Sequence, residues 1–184
     1  MTLKSDIHKL TLSITDLGRS YVAEHKLTVA RHPSETEQRL MLRLIAFALN
    51  ASPTLKFVGE LCNQDEPELC EPGLDGQYHL WVEFGLADEK RIKRACHRAD
   101  RVLVCAYGGQ DLALWWKQHQ GKYTRIGHLQ VLAFDNLHLD ALLPFVERGM
   151  HLAITIDEEG SLLISNGLLD MSLQPKLLKP WGLG

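Results

Sequence analysis

Apolar and polar positions alternate through the first thirty residues. Leu10, Leu12 and Ile14 fall on one side, and Lys9, Thr11 and Ser13 on the other. That period of two belongs to a strand with one wet face. Asp16-Leu17-Gly18-Arg19 carries turn chemistry, and Tyr21 to Ala30 alternates again. Residues 3–15 and 21–30 are therefore predicted as two arms of a hairpin. The period then changes. Pro33-Ser34-Glu35-Thr36-Glu37 opens a helix over about 34–50, with Met41, Leu44, Ile45 and Ala48 at helical spacing. Leu55 to Leu61 reads as a strand. Tyr78 to Gly85 carries large apolar groups at successive positions, as a central strand covered on both faces does.

Asp88 to Ala99 is predicted as a helix that buries Ile92, Ala95, Cys96 and Ala99 and exposes Lys90, Lys93, Arg94 and Arg98. Arg101 to Tyr107 is a buried strand. Gly108-Gly109 is a tight turn into a helix from Asp111 to Lys122. A strand over 129–134 and a helix over 138–148 follow. Met150–Asp157 and Ser161–Ser165 form a second hairpin across Glu158-Glu159-Gly160, and a short strand spans 169–173. Residues 175–184 read as an appended tail. The order predicts one α/β domain over residues 1–174, with a mixed sheet and β-hairpins at both ends.

Composition narrows the class. A chain of 184 residues is long enough for a domain with a real core. No apolar run approaches the ~20 residues that span a bilayer. The first residues lack a signal-peptide pattern, so a cytoplasmic location and no membrane partner are expected. The net charge of −3 argues against a wholesale polyanion binder and leaves a local basic face open. Cys62, Cys70, Cys96 and Cys105 form no C-x-x-C pair. They read as reduced structural thiols, because a zinc site on Cys62 and Cys70 lacks the short ligand spacings. The nine histidines are scattered, and neither a Ser/His/Asp elbow nor an H-E-x-x-H motif is present.

Glu83 is the first candidate for chemistry. It lies between Val82 and Phe84, where a carboxylate loses hydration and needs a cation, a metal or strong donors. The acidic stretch Asn63-Gln64-Asp65-Glu66-Pro67-Glu68 reads either as an exposed loop or as a partner brought beside Glu83 by hairpin geometry. Glu37 falls within the apolar stripe of the first helix. It reads as an acid facing the sheet, or as the second half of a Ser34-x-x-Glu37 capping box. Glu35, Arg39 and Arg43 fall on the far side, with Glu35 and Arg39 as a solvated i,i+4 pair. Arg91, Lys93 and Arg94 lie on a basic helix that either meets phosphates or is simply solvated.

Several stretches resemble one family. These are Leu27-Thr28-Val29-Ala30-Arg31-His32-Pro33-Ser34-Glu35-Thr36, Asp65-Glu66-Pro67-Glu68-Leu69, Leu80-Trp81-Val82-Glu83-Phe84-Gly85 and Asp88-Glu89-Lys90-Arg91-Ile92. Together with Ala106-Tyr107-Gly108-Gly109 they resemble the YaeQ family of small bacterial proteins, over residues 1 to about 172. The resemblance implies a variant of the restriction-endonuclease-like, PD-(D/E)xK fold and no settled activity. It implies Asp65 as the acid of the second core strand, with Glu66 or Glu68 as alternatives. Glu83 would be the acid of the third strand and Glu37 that of the first helix. The pattern's Lys falls at Gly85, and Lys90 is the candidate substitute. Cys70 stands where a Trp is expected.

Two functions follow from the resemblance. One is a Mg²⁺- or Mn²⁺-dependent phosphodiester hydrolase acting on DNA or RNA. Asp65 and Glu83 would hold the metal, Glu37 would be an outer partner, and Lys90 would stabilise developing charge. Arg91, Lys93 and Arg94 would hold the phosphate backbone. The other is a catalytically inactive module that binds nucleic acid or a protein partner. In it Asp65, Glu83 and Lys90 form a structural ion network.

Overall fold

The computed structural model describes residues 5–58 and 65–182. The chain divides into two compact units. One comprises Met1–Ala51 with Leu137–Pro175, the other Ser52–Asn136 with Lys176–Gly184. Among the described residues no helix is long and apolar enough to cross a membrane.

The first unit is built on the two hairpins. β1 (Asp6–Asp16) and β2 (Tyr21–Arg31) pair antiparallel over eleven continuous positions. β8 (Gly149–Ile156) runs parallel to β1, and β9 (Leu162–Ser165) and β10 (Asp170–Leu173) complete the order β10-β9-β8-β1-β2. Leu10, Leu12 and Ile14 are buried, as the alternation requires. α1 (Glu37–Asn50) is buried from Leu40 to Ala48 all round, and this includes Arg43.

The first turn of α1 departs from the stripe argument. The N-cap is Thr36, whose hydroxyl accepts from the Arg39 amide. The Ser34-Glu37 capping box is not formed, and Glu37 is exposed. Helical phase predicts burial only where a helix is covered, and α1 is buried from Leu40 onward rather than from Glu37. Glu35 lies before the helix, folds inward and is buried with Arg43. Arg43 Nη1 lies 3.1 Å from Glu35 Oε1 and also donates to the Ala30 carbonyl at 3.1 Å. The predicted solvated Glu35–Arg39 pair is replaced by this buried one.

The second unit holds a six-stranded sheet, in the order Lys176–Lys179, Leu129–Ala133, Val102–Ala106, Tyr78–Phe84, Leu69–Pro72 and Lys56–Phe57. β3 (Lys56–Phe57), β4 (Leu69–Pro72) and β5 (Tyr78–Phe84) form an antiparallel meander. α2 (Glu89–Arg98) then crosses to β6 (Val102–Ala106), and α3 (Gln110–Tyr123) to β7 (Leu129–Ala133), both strands parallel to β5. Leu80 to Phe84 are all buried, which confirms a strand covered on both faces. Ile92 and Ala95 of α2 join Trp81, Val104, Trp115 and Leu129 in one core cluster. The predicted helix over 138–148 ends early. Pro144 limits it to α4 (Asn136–Ala141) and a 3₁₀ turn over Leu143–Phe145. Residues 176–179, read as tail, form β11 (Lys176–Lys179) against β7. Lys179 is 2% exposed and donates to the Leu129 carbonyl at 2.8 Å.

Gly85 ends β5 with φ at 91°, and its amide donates to the Cys105 carbonyl at 3.0 Å. Side chains other than hydrogen are strained in that region of φ. The absence of Lys at this position therefore has a backbone cause. Gly85→Lys is expected to cost about 1–2 kcal/mol of stability, read from urea unfolding. An unchanged midpoint would contradict this.

Candidate acid–arginine site

β5 places Trp81 and Glu83 on one face, two residues apart, and α2 lies over that face. Glu83 is 4% exposed. Its Oε1 accepts from the Trp81 indole N–H at 2.5 Å, and its Oε2 accepts from Arg91 Nε at 2.7 Å. Arg91 also donates to the Glu66 carbonyl at 3.2 Å. Asp88 caps α2 by accepting from the Arg91 amide at 2.8 Å, which orients the first turn. The cation that reaches back to Glu83 is thus Arg91. Lys90 is exposed and takes no part in this clasp.

Glu68 stands beside Glu83. The β4–β5 ladder pairs Leu69 with Val82, and one further antiparallel step sets Glu68 opposite Glu83. Burial pushes the Glu83 carboxyl above its ordinary value. The hydrogen bond and charge of Arg91 and the indole bond oppose that rise, and the charge of Glu68 adds to it. A raised folded pKa means that the native state holds its proton to higher pH than the unfolded chain. The stability tied to Glu83 is full below 4.5 and is lost as pH rises through the folded pKa. Glu83→Gln does not titrate. Wild type is therefore expected to lose stability relative to this variant as pH climbs above 4.5, measured by urea unfolding. A gap independent of pH would contradict the sign.

Asp65 and Lys93 have partners other than Glu83. Asp65 is exposed, and its carboxylate pairs with Arg94 while its carbonyl accepts from Arg98 Nη1 at 2.6 Å. Lys93 pairs with Glu89 at 2.6 Å. Glu89 is held down to about 2 by hydrogen bonds from Lys122 and Lys93. Glu37 belongs to the other compact unit. Lys90, Arg91 and Arg94, with Asp88, line a cavity of about 150 Å³. Arg98 lies farther along α2, 5.6 Å from the Trp81 ring centroid. The sequence reading undervalued Glu68 and Arg91. The signal for Glu68 was its place next to Leu69, at the strand's mouth. The signal for Arg91 was its position three residues after the Asp88 cap.

A metal fits this donor set poorly. Among the described residues no three His, Cys, Asp or Glu side chains are grouped to hold one. Both oxygens of Glu83 already accept hydrogen bonds, and the guanidinium occupies the cation's side of the carboxylate. The residues as they stand do not fit a Mg²⁺ or Mn²⁺ ion shared with Glu83, which needs oxygen ligands at ~2.0–2.1 Å. The thiols offer no alternative. Burial pushes Cys70 and Cys96 up to about 11, and Cys105 rises as well. Cys62 lies outside the described residues.

The family model described as "YaeQ protein" matches residues 1–175. The chain belongs to the YaeQ family. A relative in Salmonella typhi is 38% identical over 174 residues, covering 95% of this chain and 96% of the relative. One in Escherichia coli K12 is 39% identical over 166 residues, covering 90% and 91%. The crystal structure of the YaeQ protein from Xanthomonas axonopodis pv. citri is similar at a TM-score of 0.91 and 36% identity, covering 96% of this chain and 99% of that one. That of the YaeQ protein from Pseudomonas syringae gives 0.88 and 30%, covering 96% and 97%.

Proposed function

We propose that the chain is a restriction-endonuclease-like module that binds the backbone of a nucleic acid without hydrolysing it. The meander β3–β4–β5, then α2, then parallel β6 follow the element order such a core requires. The observation that carries the reading is the Glu83–Arg91 clasp, in which an arginine takes the place a catalytic metal would need. Lys90 and Arg94 line the smaller cavity at the first turns of α2, where the helix dipole also favours anions. Arg94 pairs with the exposed Asp65 carboxylate. Surface pairs of that kind contribute little, so exchange of Asp65 for a phosphate is inexpensive. Arg91 stays on Glu83, which moves the phosphate contacts from the predicted Arg91, Lys93 and Arg94 toward Lys90, Arg94 and Arg98.

Fluorescence anisotropy with labelled DNA and RNA tests this in the presence of Mg²⁺. With three phosphate contacts, log affinity for a single strand should fall against log salt with a slope of about −2. The strands should remain intact on a denaturing gel. A second reading, metal-dependent hydrolysis, has the Glu68–Glu83 neighbourhood in its favour. It requires Arg91 to leave Glu83. Cleavage by wild type that disappears in Glu83→Gln would establish it and overturn the first.

A further inference from the structure

Lys90, Arg94 and Arg98 recur every four residues on α2, so they form a row along one face that rises about 6 Å per step. The row starts at the smaller cavity. It ends at a larger one of about 550 Å³, lined by Arg98, Tyr78, Phe57, Lys56, Gln77 and Glu66 among others. That volume suits a small organic ligand. Its walls are chemically distinctive. The Arg98 guanidinium lies 5.4 Å from the Tyr78 ring centroid, and its Nη1 is fixed by the Asp65 carbonyl. Tyr78 in turn stands edge-on to Trp81, with ring centroids 5.2 Å apart. A phenol ring and a planar cation are thus held in place before any ligand arrives, which lowers the cost of ordering them on binding. Lys56 is exposed on the edge strand β3, and Glu66 is half-buried on the cavity wall.

We propose that this cavity takes one unpaired nucleotide of a single strand whose backbone follows the Lys90–Arg94–Arg98 row. The proposal rests on the nucleic-acid reading above and deepens it. The base packs against the Tyr78 and Arg98 planes, a sequence-tolerant contact because every base has a π-face. Lys56 meets a phosphate. The Glu66 carboxylate accepts from an exocyclic amine where the base has one. A base inside a duplex has both faces stacked and its pairing edge engaged, so it does not enter without unstacking. The site therefore selects single strands over duplex.

The test compares three labelled probes by anisotropy: a single-stranded DNA oligonucleotide, an RNA of the same sequence, and the duplex. Variants are Tyr78→Leu and Lys56→Glu, at an exposed position, each with its fold checked by thermal unfolding. The expected result is single-strand binding at least about tenfold tighter than duplex binding. Each variant should weaken the single strand about tenfold and leave the duplex unchanged. Equal affinity for both forms, or single-strand affinity unmoved by Lys56→Glu, would overturn the cavity assignment alone. Absence of binding to all three probes would remove the nucleic-acid reading itself.

Discussion

Arg91→Ala is expected to lower the stability of the protein at neutral pH by about 3–5 kcal/mol, the usual cost of stranding one partner of a buried ion pair. Glu83 would keep only its indole donor, with the Glu68 charge still beside it. Two controls separate this from lost packing. The deficit should shrink as pH falls, because a protonated Glu83 needs no counter-ion. It should also shrink in Arg91→Ala/Glu83→Gln, which removes the stranded charge. A loss that is the same at every pH, and undiminished in the double variant, would show that the arginine acts through its aliphatic stem instead.

Arg43→Ala is expected to cost a similar ~3–5 kcal/mol. Arg43 is 1% exposed and Glu35 8%, so the carboxylate would be left in the interior without its cation. The Ala30 carbonyl would lose a donor as well. Arg43→Met keeps the volume but still strands Glu35, whereas Arg43→Met with Glu35→Gln removes both charges. The double variant should recover much of the loss, because desolvation makes buried pairs poor stabilisers relative to neutral groups of the same size. Urea midpoints of the three variants read this directly. A double variant as unstable as Arg43→Ala would place the cost in packing.

Much of this architecture was legible because burial and period agree. The β1–β2 alternation, the two-sided apolar run of β5 and the Asp88-capped α2 each follow from one local pattern. The misreadings arose where an ending decides. Glu37 has the right phase but is exposed at the first position of α1, while Glu35 lies before the helix and is buried. Lys90 and Arg91 differ by one position on a helix. Only the direction of the first turn, set by the cap, determines which of them meets Glu83. Asp65 and Glu68 lie in one acidic stretch, and the β4–β5 register chooses between them. The last strand was missed because Leu177 and Leu178 are too short a pattern to read. Gly85 was legible as a departure, and its cause is the positive φ that ends the strand.

In the proposed reading Arg91, not a metal, is the counter-ion of Glu83. Calorimetric titration of Mn²⁺ and then Mg²⁺ into the wild-type protein at neutral pH tests it. The predicted result is no saturable heat up to millimolar metal. Saturable binding that is lost in Glu83→Gln would contradict the claim.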